Sequence, residues 1–245
     1  METDMPYSVC LAGPGLDQKY LSQFLEGWNL TLSIHPTYNF FERGGMATST
    51  RNTAIEKWGN LPEGDRRDQV YNAMRLFNAE NKGKTDYISG FQDSAGICIK
   101  GLVSCLYDND YIPKIVNINT DDNLLQWLED HIQLIELEPR PQGFNLFRGR
   151  MFNRENAEEL AESAVEMRKA IIDRDLEKFG EELSRTREGY ANVFPNSLPT
   201  YARMRIEELG DDIYGCKLNG AGGGGYLICA TDKPLENGIP ISIRR

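Results

Sequence analysis

Apolar positions along this chain recur with two periods. Near the start, Ser8-Val9-Cys10-Leu11-Ala12 reads as a short strand. Leu30-Thr31-Leu32-Ser33-Ile34 reads as another and alternates apolar and polar residues with period two. Helical spacing follows. One helix contains Thr53, Ala54, Ile55 and Trp58. A second runs from Asp65 to Glu80 with Val70, Ala73, Met74 and Phe77 on one face. A shorter, small-residue-rich helix is expected over 87–99. Strands are expected at Lys114–Ile118 and Ile132–Leu137, joined by a short segment from Asp122 to Asp130. Pro139-Arg140-Pro141-Gln142-Gly143 can continue neither element type, so it marks the expected boundary between domains at 1–140 and 141–245.

Beyond that joint, Asn153 is a good N-cap, and Leu160, Ala164, Met167 and Ile171 form an apolar stripe. The pattern breaks at Asp173–Asp175, restarts with Leu176, Phe179 and Leu183, and is followed by a helix from about Thr200 to Leu209. The chain then reads strand (Tyr214–Leu218), glycine loop (Gly220–Gly225), strand (Tyr226–Ala230). A last strand at Ile239–Ile243 contains Pro240 and therefore belongs at an edge. Strands mixed with segregated helices predict an α+β fold.

Composition narrows the function. The net charge is −10 and the sequence pI is near 4.9. A broadly acidic surface argues against nucleic acid and anionic membranes as partners, yet leaves room for an anionic substrate at a locally positive site. Five cysteines, an odd number with no CxxC, and two distant histidines give no zinc spacing; they read as reduced, buried thiols in a cytoplasmic protein. The start of the chain does not read as a signal peptide, and no run approaches a membrane span.

Three segments carry candidate chemistry. Lys217-Leu218-Asn219-Gly220-Ala221-Gly222-Gly223-Gly224-Gly225-Tyr226 places five glycines in six residues between two apolar strands. A tight hairpin needs one or two, so the backbone is expected to lie against a ligand. The second segment, Gly44-Gly45-Met46-Ala47-Thr48-Ser49-Thr50, runs into a helix. Free N–H groups and the helix dipole favour an anion there, and a hydroxyl can reach a magnesium ion; an ordinary Ser/Thr cap is the alternative. In the third, Gly90-Phe91-Gln92-Asp93-Ser94-Ala95-Gly96, Asp93 can accept a hydroxyl proton or serve as a helix cap.

In their order, these segments resemble the motif series of the GHMP kinases (galactokinase, homoserine kinase, mevalonate kinase, phosphomevalonate kinase). Leu11-Ala12-Gly13-Pro14-Gly15-Leu16-Asp17 is similar to the first motif, and Gly45–Thr50 to the phosphate loop. Gln92-Asp93 is similar to the pair holding the base, and Lys217–Tyr226 to the last motif of heptose-phosphate and fucokinase-like sugar kinases. The resemblance implies the two-part GHMP architecture, with a ribosomal protein S5 domain 2-like N-terminal part and a ferredoxin-like C-terminal part. It implies ATP and Mg2+ as cofactors and a sugar or sugar phosphate as acceptor, and it leaves a homodimer open. Asp93 would be the base, and Asp17 and Gln92 would contact substrate. Gly44, Gly45, Ala47, Thr48, Ser49, Thr50, Gly220, Gly222, Gly223 and Gly224 would hold phosphates, and Ser49 and Glu80 the metal. The chain departs from the family pattern in three ways, one of which is that Met46-Ala47-Thr48-Ser49-Thr50, followed by Arg51, is a loose version of the usual Leu-Gly-Ser-Ser-Ser. Ser8 stands where many carry a basic residue, with Arg51 either supplying the missing charge or lying on the helix surface. The route from Ile34 to Gly44 is too short for the usual adenine-contacting segment. The other functional reading is a non-catalytic homologue that binds a sugar phosphate or nucleotide.

Overall fold

The computed structural model describes residues 3–245. Its first sheet is antiparallel, in the order β1 (Tyr7–Ala12), β2 (Gly27–Ile34), β3 (Leu102–Tyr107), β4 (Ile115–Asn119). A four-residue helix, α1 (Lys19–Ser22), lies between β1 and β2. Helices α2 (Thr48–Trp58), α3 (Arg66–Glu80) and α4 (Phe91–Cys98) connect β2 to β3. The stretch Asp122–His131, read from sequence as a connecting segment, is a helix, α5, capped by the Asp121 carboxylate on the Leu124 N–H at 2.8 Å. The second sheet contains β5 (Ile132–Glu136), β6 (Gly215–Leu218), β7 (Tyr226–Ala230) and β8 (Ile239–Pro240), in the order β6-β7-β5-β8. The remaining long helices are α6 (Arg154–Asp173), α7 (Leu176–Val193) and α8 (Thr200–Leu209).

Several expectations need correction. Strand β3 is missing from the sequence reading although it lies between β2 and β4. It is buried along its whole length, so it shows no alternation to find. Strand β5 precedes Pro139 yet pairs with β7, so the change of sheet falls ahead of Ile132. Helix α4 starts at Phe91, not near Tyr87. Both ends of the Asn81 side-chain amide hold the backbone of Ser89, closing a loop that delivers Gly90 as an extended N-cap. The final strand is only two residues long but does sit at a sheet edge, with Pro240 exposed.

The polar positions of β2 do not face water. Leu30, Leu32 and Ile34 join Tyr7, Val9 and Leu11 in a core completed by Met167 and Ile171 of α6, Phe179 and Leu183 of α7, and Leu134 and Ile228 of the second sheet. The other face of the first sheet carries Ser8, Asn29, Thr31 and Ser33, all buried. Helix α4 lies directly on it. A Cβ on Gly96 would come within 2.0 Å of Ser8 Oγ and 2.5 Å of Thr31 Cγ2. Small polar side chains thus let α4 approach the strands closely, and that approach fixes where Asp93 stands.

The two halves are also joined by a side-chain graft. The Asn219 amide behaves as an extra strand residue along the open edge of β1. Its Oδ1 accepts from Cys10 N at 2.9 Å, and its Nδ2 donates to Ser8 O at 3.1 Å. Fully buried Lys217 donates to Cys10 O at 2.7 Å and to Leu218 O at 2.9 Å. Burial lowers its pKa. The first and last motifs therefore meet at one seam. All five cysteines are free and buried. Among the described residues no helix is long and apolar enough to cross a membrane.

Candidate active site

Where the seam opens lies a cleft of about 470 Å³, within the usual range for small-molecule sites. The turn after β1 supplies Pro14, Gly15, Asp17 and Gln18 to one wall. The loop before α2 and its first turn supply Gly45, Ala47, Thr48 and Ser49 to the lining as well. Gln92 and Asp93 of α4 also line it, together with Arg140, Gly220, Ala221, Lys84 and Tyr87.

Helix α2 begins in an unusual way. Ala47 occupies its N-cap position with φ +55°, and no side chain caps the helix. The Ser/Thr cap considered from sequence is therefore absent, and the first-turn N–H groups remain without intrahelical partners. Thr48 Oγ1 is buried there with no hydrogen-bond partner. The hydroxyls of Ser49 and Thr50 instead reach back to Glu80, donating at 3.1 and 2.7 Å, and Ser89 adds a third bond at 3.2 Å. Glu80, at the end of α3, is thereby locked beneath the helix start.

Asp93 stands in the first turn of α4. Among the described residues its carboxylate makes no hydrogen bond, and Gly90, not Asp93, is the N-cap. Burial, reinforced by Glu80 and then Asp17 and opposed by Arg140, pushes its pKa to about 7. Asp17 lies against Gly90, where a Cβ would come 1.6 Å from Oδ2. Burial raises its pKa to about 6, against the backbone N–H groups of Gln92 and Asp17 itself and the Gln18 side chain. Gln92 is oriented by Asn29, whose amide donates to Oε1 at 2.7 Å and also to Ala12 O and Gly13 O at 3.0 and 3.2 Å.

Both carboxyls hold protons more tightly folded than unfolded. Between about pH 4 and pH 7 the folded chain therefore binds more protons, and their contribution to stability falls as pH rises through that window, then levels off. Urea midpoints measured from pH 4 to pH 8 are expected to show this slope in the wild type and lose it in the Asp17→Asn/Asp93→Asn double variant. Equal slopes would mean that neither carboxyl is held above its ordinary value.

The glycine loop meets the cleft only through its first two residues. A Cβ on Gly222 would strike Ser197 O, one on Gly223 the Phe144 ring, and one on Gly224 the Glu138 O. Gly223 N donates to Ser197 O and Gly225 N to Glu138 O, so these donors are already used. Gly222, Gly223 and Gly224 thus shape the loop and stand outside the cleft, unlike Gly220. Gly44 is packed behind the wall against Phe41 and Tyr226. Thr50 is buried beneath it on Glu80. Arg51 is also elsewhere: its Nε donates to Met5 O at 3.0 Å, and the guanidinium lies 4.1 Å from the centre of the Tyr7 ring. The cations that do line the cleft are Arg43, Lys84 and Arg140. None was singled out from sequence.

No family model matches the sequence, and no curated protein is significantly similar to it. Solved structures do share the architecture. Lactococcus lactis galactokinase complexed with galactose matches with a TM-score of 0.62 at 13% identity, over 93% of this chain and 84% of that one. A D-glycero-D-manno-heptose 1-phosphate kinase from Bacteriodes thetaiotaomicron matches at 0.56 and 14%, over 98% and 95%. Streptococcus pneumoniae phosphomevalonate kinase in complex with phosphomevalonate and AMPPNP matches at 0.55 and 13%, over 94% and 92%.

Proposed function

On the premise that the chain has the fold of the GHMP kinases, we propose that it transfers the γ-phosphoryl group of ATP to a hydroxyl of a sugar or sugar phosphate. The observation that carries this reading is the pairing across one cleft of an uncapped helix N-terminus with a carboxylate free of hydrogen bonds. The N–H groups of Thr48 and Ser49 bind and orient the phosphates. Asp93 takes the acceptor's proton, and a base with a pKa near 7 suits that step at neutral pH. Asp17 and Gln92 orient the acceptor hydroxyl. Positioning and charge stabilisation supply most of the catalysis in such a transfer.

The oxygen-only donors Ser49 and Glu80 suit Mg2+, which commonly uses one or two carboxylates together with substrate phosphates. When bound there, the ion would neutralise charge on the β- and γ-phosphates.

The short loop before Gly44 turns two of its aromatic residues, Phe40 and Phe41, inward. Phe40 and Phe41 pack on Tyr226, with ring centroids 4.9 and 4.8 Å apart, and exposed Tyr38 donates to Glu136 Oε2 at 3.0 Å outside the lining of the cleft, so none of these three rings lies in the cleft to stack on a base. ATP, GTP, CTP and UTP are therefore expected to bind within about tenfold of one another, a spread of about 1.4 kcal/mol. Isothermal titration with the four Mg–nucleotides, then with sugars and sugar phosphates, checks this alongside an ADP-release assay. Release of ADP dependent on one acceptor supports the kinase reading. Binding without transfer favours the non-catalytic one, for which Ser8 is the specific observation: it is buried with no partner for its hydroxyl, where many members of the family carry a basic residue.

A further inference from the structure

Arg140 lies in the joint between two prolines, a segment whose composition indicates only a chain break. The fold gives it a defined place. Its backbone N–H donates to Arg43 O at 3.0 Å, tying the joint to the loop before α2. Its Nε donates to Gly222 O at 2.9 Å, and its guanidinium lies 5.2 Å from the centre of the Phe144 ring. Arg140 lines the cleft together with Gly45, and a Cβ built on Gly45 would stand 3.5 Å from its Nη2. Among the described residues no carboxylate lies within 4.0 Å of this guanidinium, although Arg185, Arg187, Arg203, Arg205 and Arg245 each have one.

A half-buried cation without a counter-ion is costly. Here it faces the uncapped start of α2, which also favours negative charge. Asp93 is near enough for Arg140 to lower its pKa, while burial lowers that of Arg140 itself. The two features converge on one space, bounded by Gly45, Gly220 and the carboxylate of Asp93.

We infer that Arg140 contacts the phosphoryl group in flight and supplies the positive charge that Ser8 does not. This rests on the kinase reading above. In the step, the bond between the γ-phosphorus and the β–γ bridging oxygen breaks and its electron pair leaves with ADP. The acceptor oxygen bonds to phosphorus, and its proton passes to Asp93. Charge on the three non-bridging oxygens is greatest near the transition state, where a planar, fixed guanidinium offers two donors. The Gly222 bond and the Phe144 ring hold it in place beforehand.

The test compares wild type, Arg140→Lys and Arg140→Met by titration with Mg–AMPPNP and with Mg–ADP plus aluminium fluoride, a mimic of the group in flight. Circular dichroism checks that each variant is folded. Arg140→Met is expected to lose at least about 100-fold in affinity for the aluminium fluoride complex but less than about tenfold for Mg–AMPPNP. Arg140→Lys should recover part of the loss, and millimolar guanidinium ion should restore part of it in Arg140→Met. A loss arising only from a loosened glycine loop would weaken both ligands equally and resist rescue. Either that result or unchanged binding of both would overturn the role of Arg140 and leave the kinase reading standing. Failure of the wild type to bind either ligand would overturn both.

Discussion

Asp93→Asn is expected to cut phosphoryl transfer by about 100- to 10,000-fold, with the loss in kcat and little change in KM. The amide matches the carboxylate in size and cannot take the acceptor's proton. The surroundings make a second, independent readout available. The Asp93 carboxylate carries no compensating hydrogen bond, and burial together with Glu80 and Asp17 destabilises its charged form. A neutral amide relieves that cost, and a full pKa unit corresponds to about 1.4 kcal/mol. The variant should therefore be more stable than wild type at pH 8, by about 1–3 kcal/mol, with the advantage shrinking as the pH falls below 7. A helix-capping aspartate would behave differently, because asparagine caps about as well and both activity and stability would hardly move. Steady-state rates and urea midpoints at pH 5.5 and pH 8 separate the cases. A destabilised variant that keeps its activity per folded molecule would place Asp93 in the architecture and remove it from the proton transfer.

What the sequence disclosed, and what it hid, follows from how local each signal is. Helices α6 and α7 were legible because their stripes, caps and break at Asp173–Asp175 are all local. The kinase-like order of the motifs was legible because Gly90–Asp93 and Lys217–Tyr226 are short and distinctive, and the fold brings them to one cleft. Strand β3 was hidden because a strand covered on both faces carries no alternation. Arg140 was hidden for another reason. Its neighbours in sequence are prolines, while the groups that define it, Arg43 O, Gly222 O and the Phe144 ring, come from other segments. The places of Gly222, Gly223 and Gly224 outside the cleft were hidden likewise: Gly223 gives its N–H to Ser197 O, a partner that nothing in the glycine run specifies, whereas Gly220 does line the cleft.

Gly225→Ala should show the other side of that loop, as a strongly destabilising methyl addition near the cleft. Gly225 has φ +98°, outside even the left-handed well that alanine visits at a cost. Its Cβ would stand 2.0 Å from Gly44 O and 2.5 Å from Gly44 C, which are backbone atoms that cannot rotate away. Gly225 also holds both groups of its own backbone in place, donating to Glu138 O at 2.9 Å and accepting from Leu137 N at 2.8 Å. Backbone strain contributes about 1–3 kcal/mol and the clash adds to it. A loss of about 3 kcal/mol or more is thus expected, out of a total near 5–15 kcal/mol for a domain. Gly143→Ala is the matched control: its φ is +79°, but nothing lies within 4 Å of the added carbon, so a cost of about 1 kcal/mol should suffice. Activity should separate the two further. Relief of the Gly225 clash must push on Gly44, and with it Gly45 and the start of α2, or on the Leu137–Glu138 segment that leads to Arg140. Displacement of about 1 Å at such a site can cost about 100-fold in rate even in the molecules that remain folded. Urea midpoints and kcat per folded molecule, measured for both variants, test this. Equal midpoints for Gly225→Ala and Gly143→Ala would show that the junction between the glycine loop and Gly44 yields freely and does not set the geometry of the cleft.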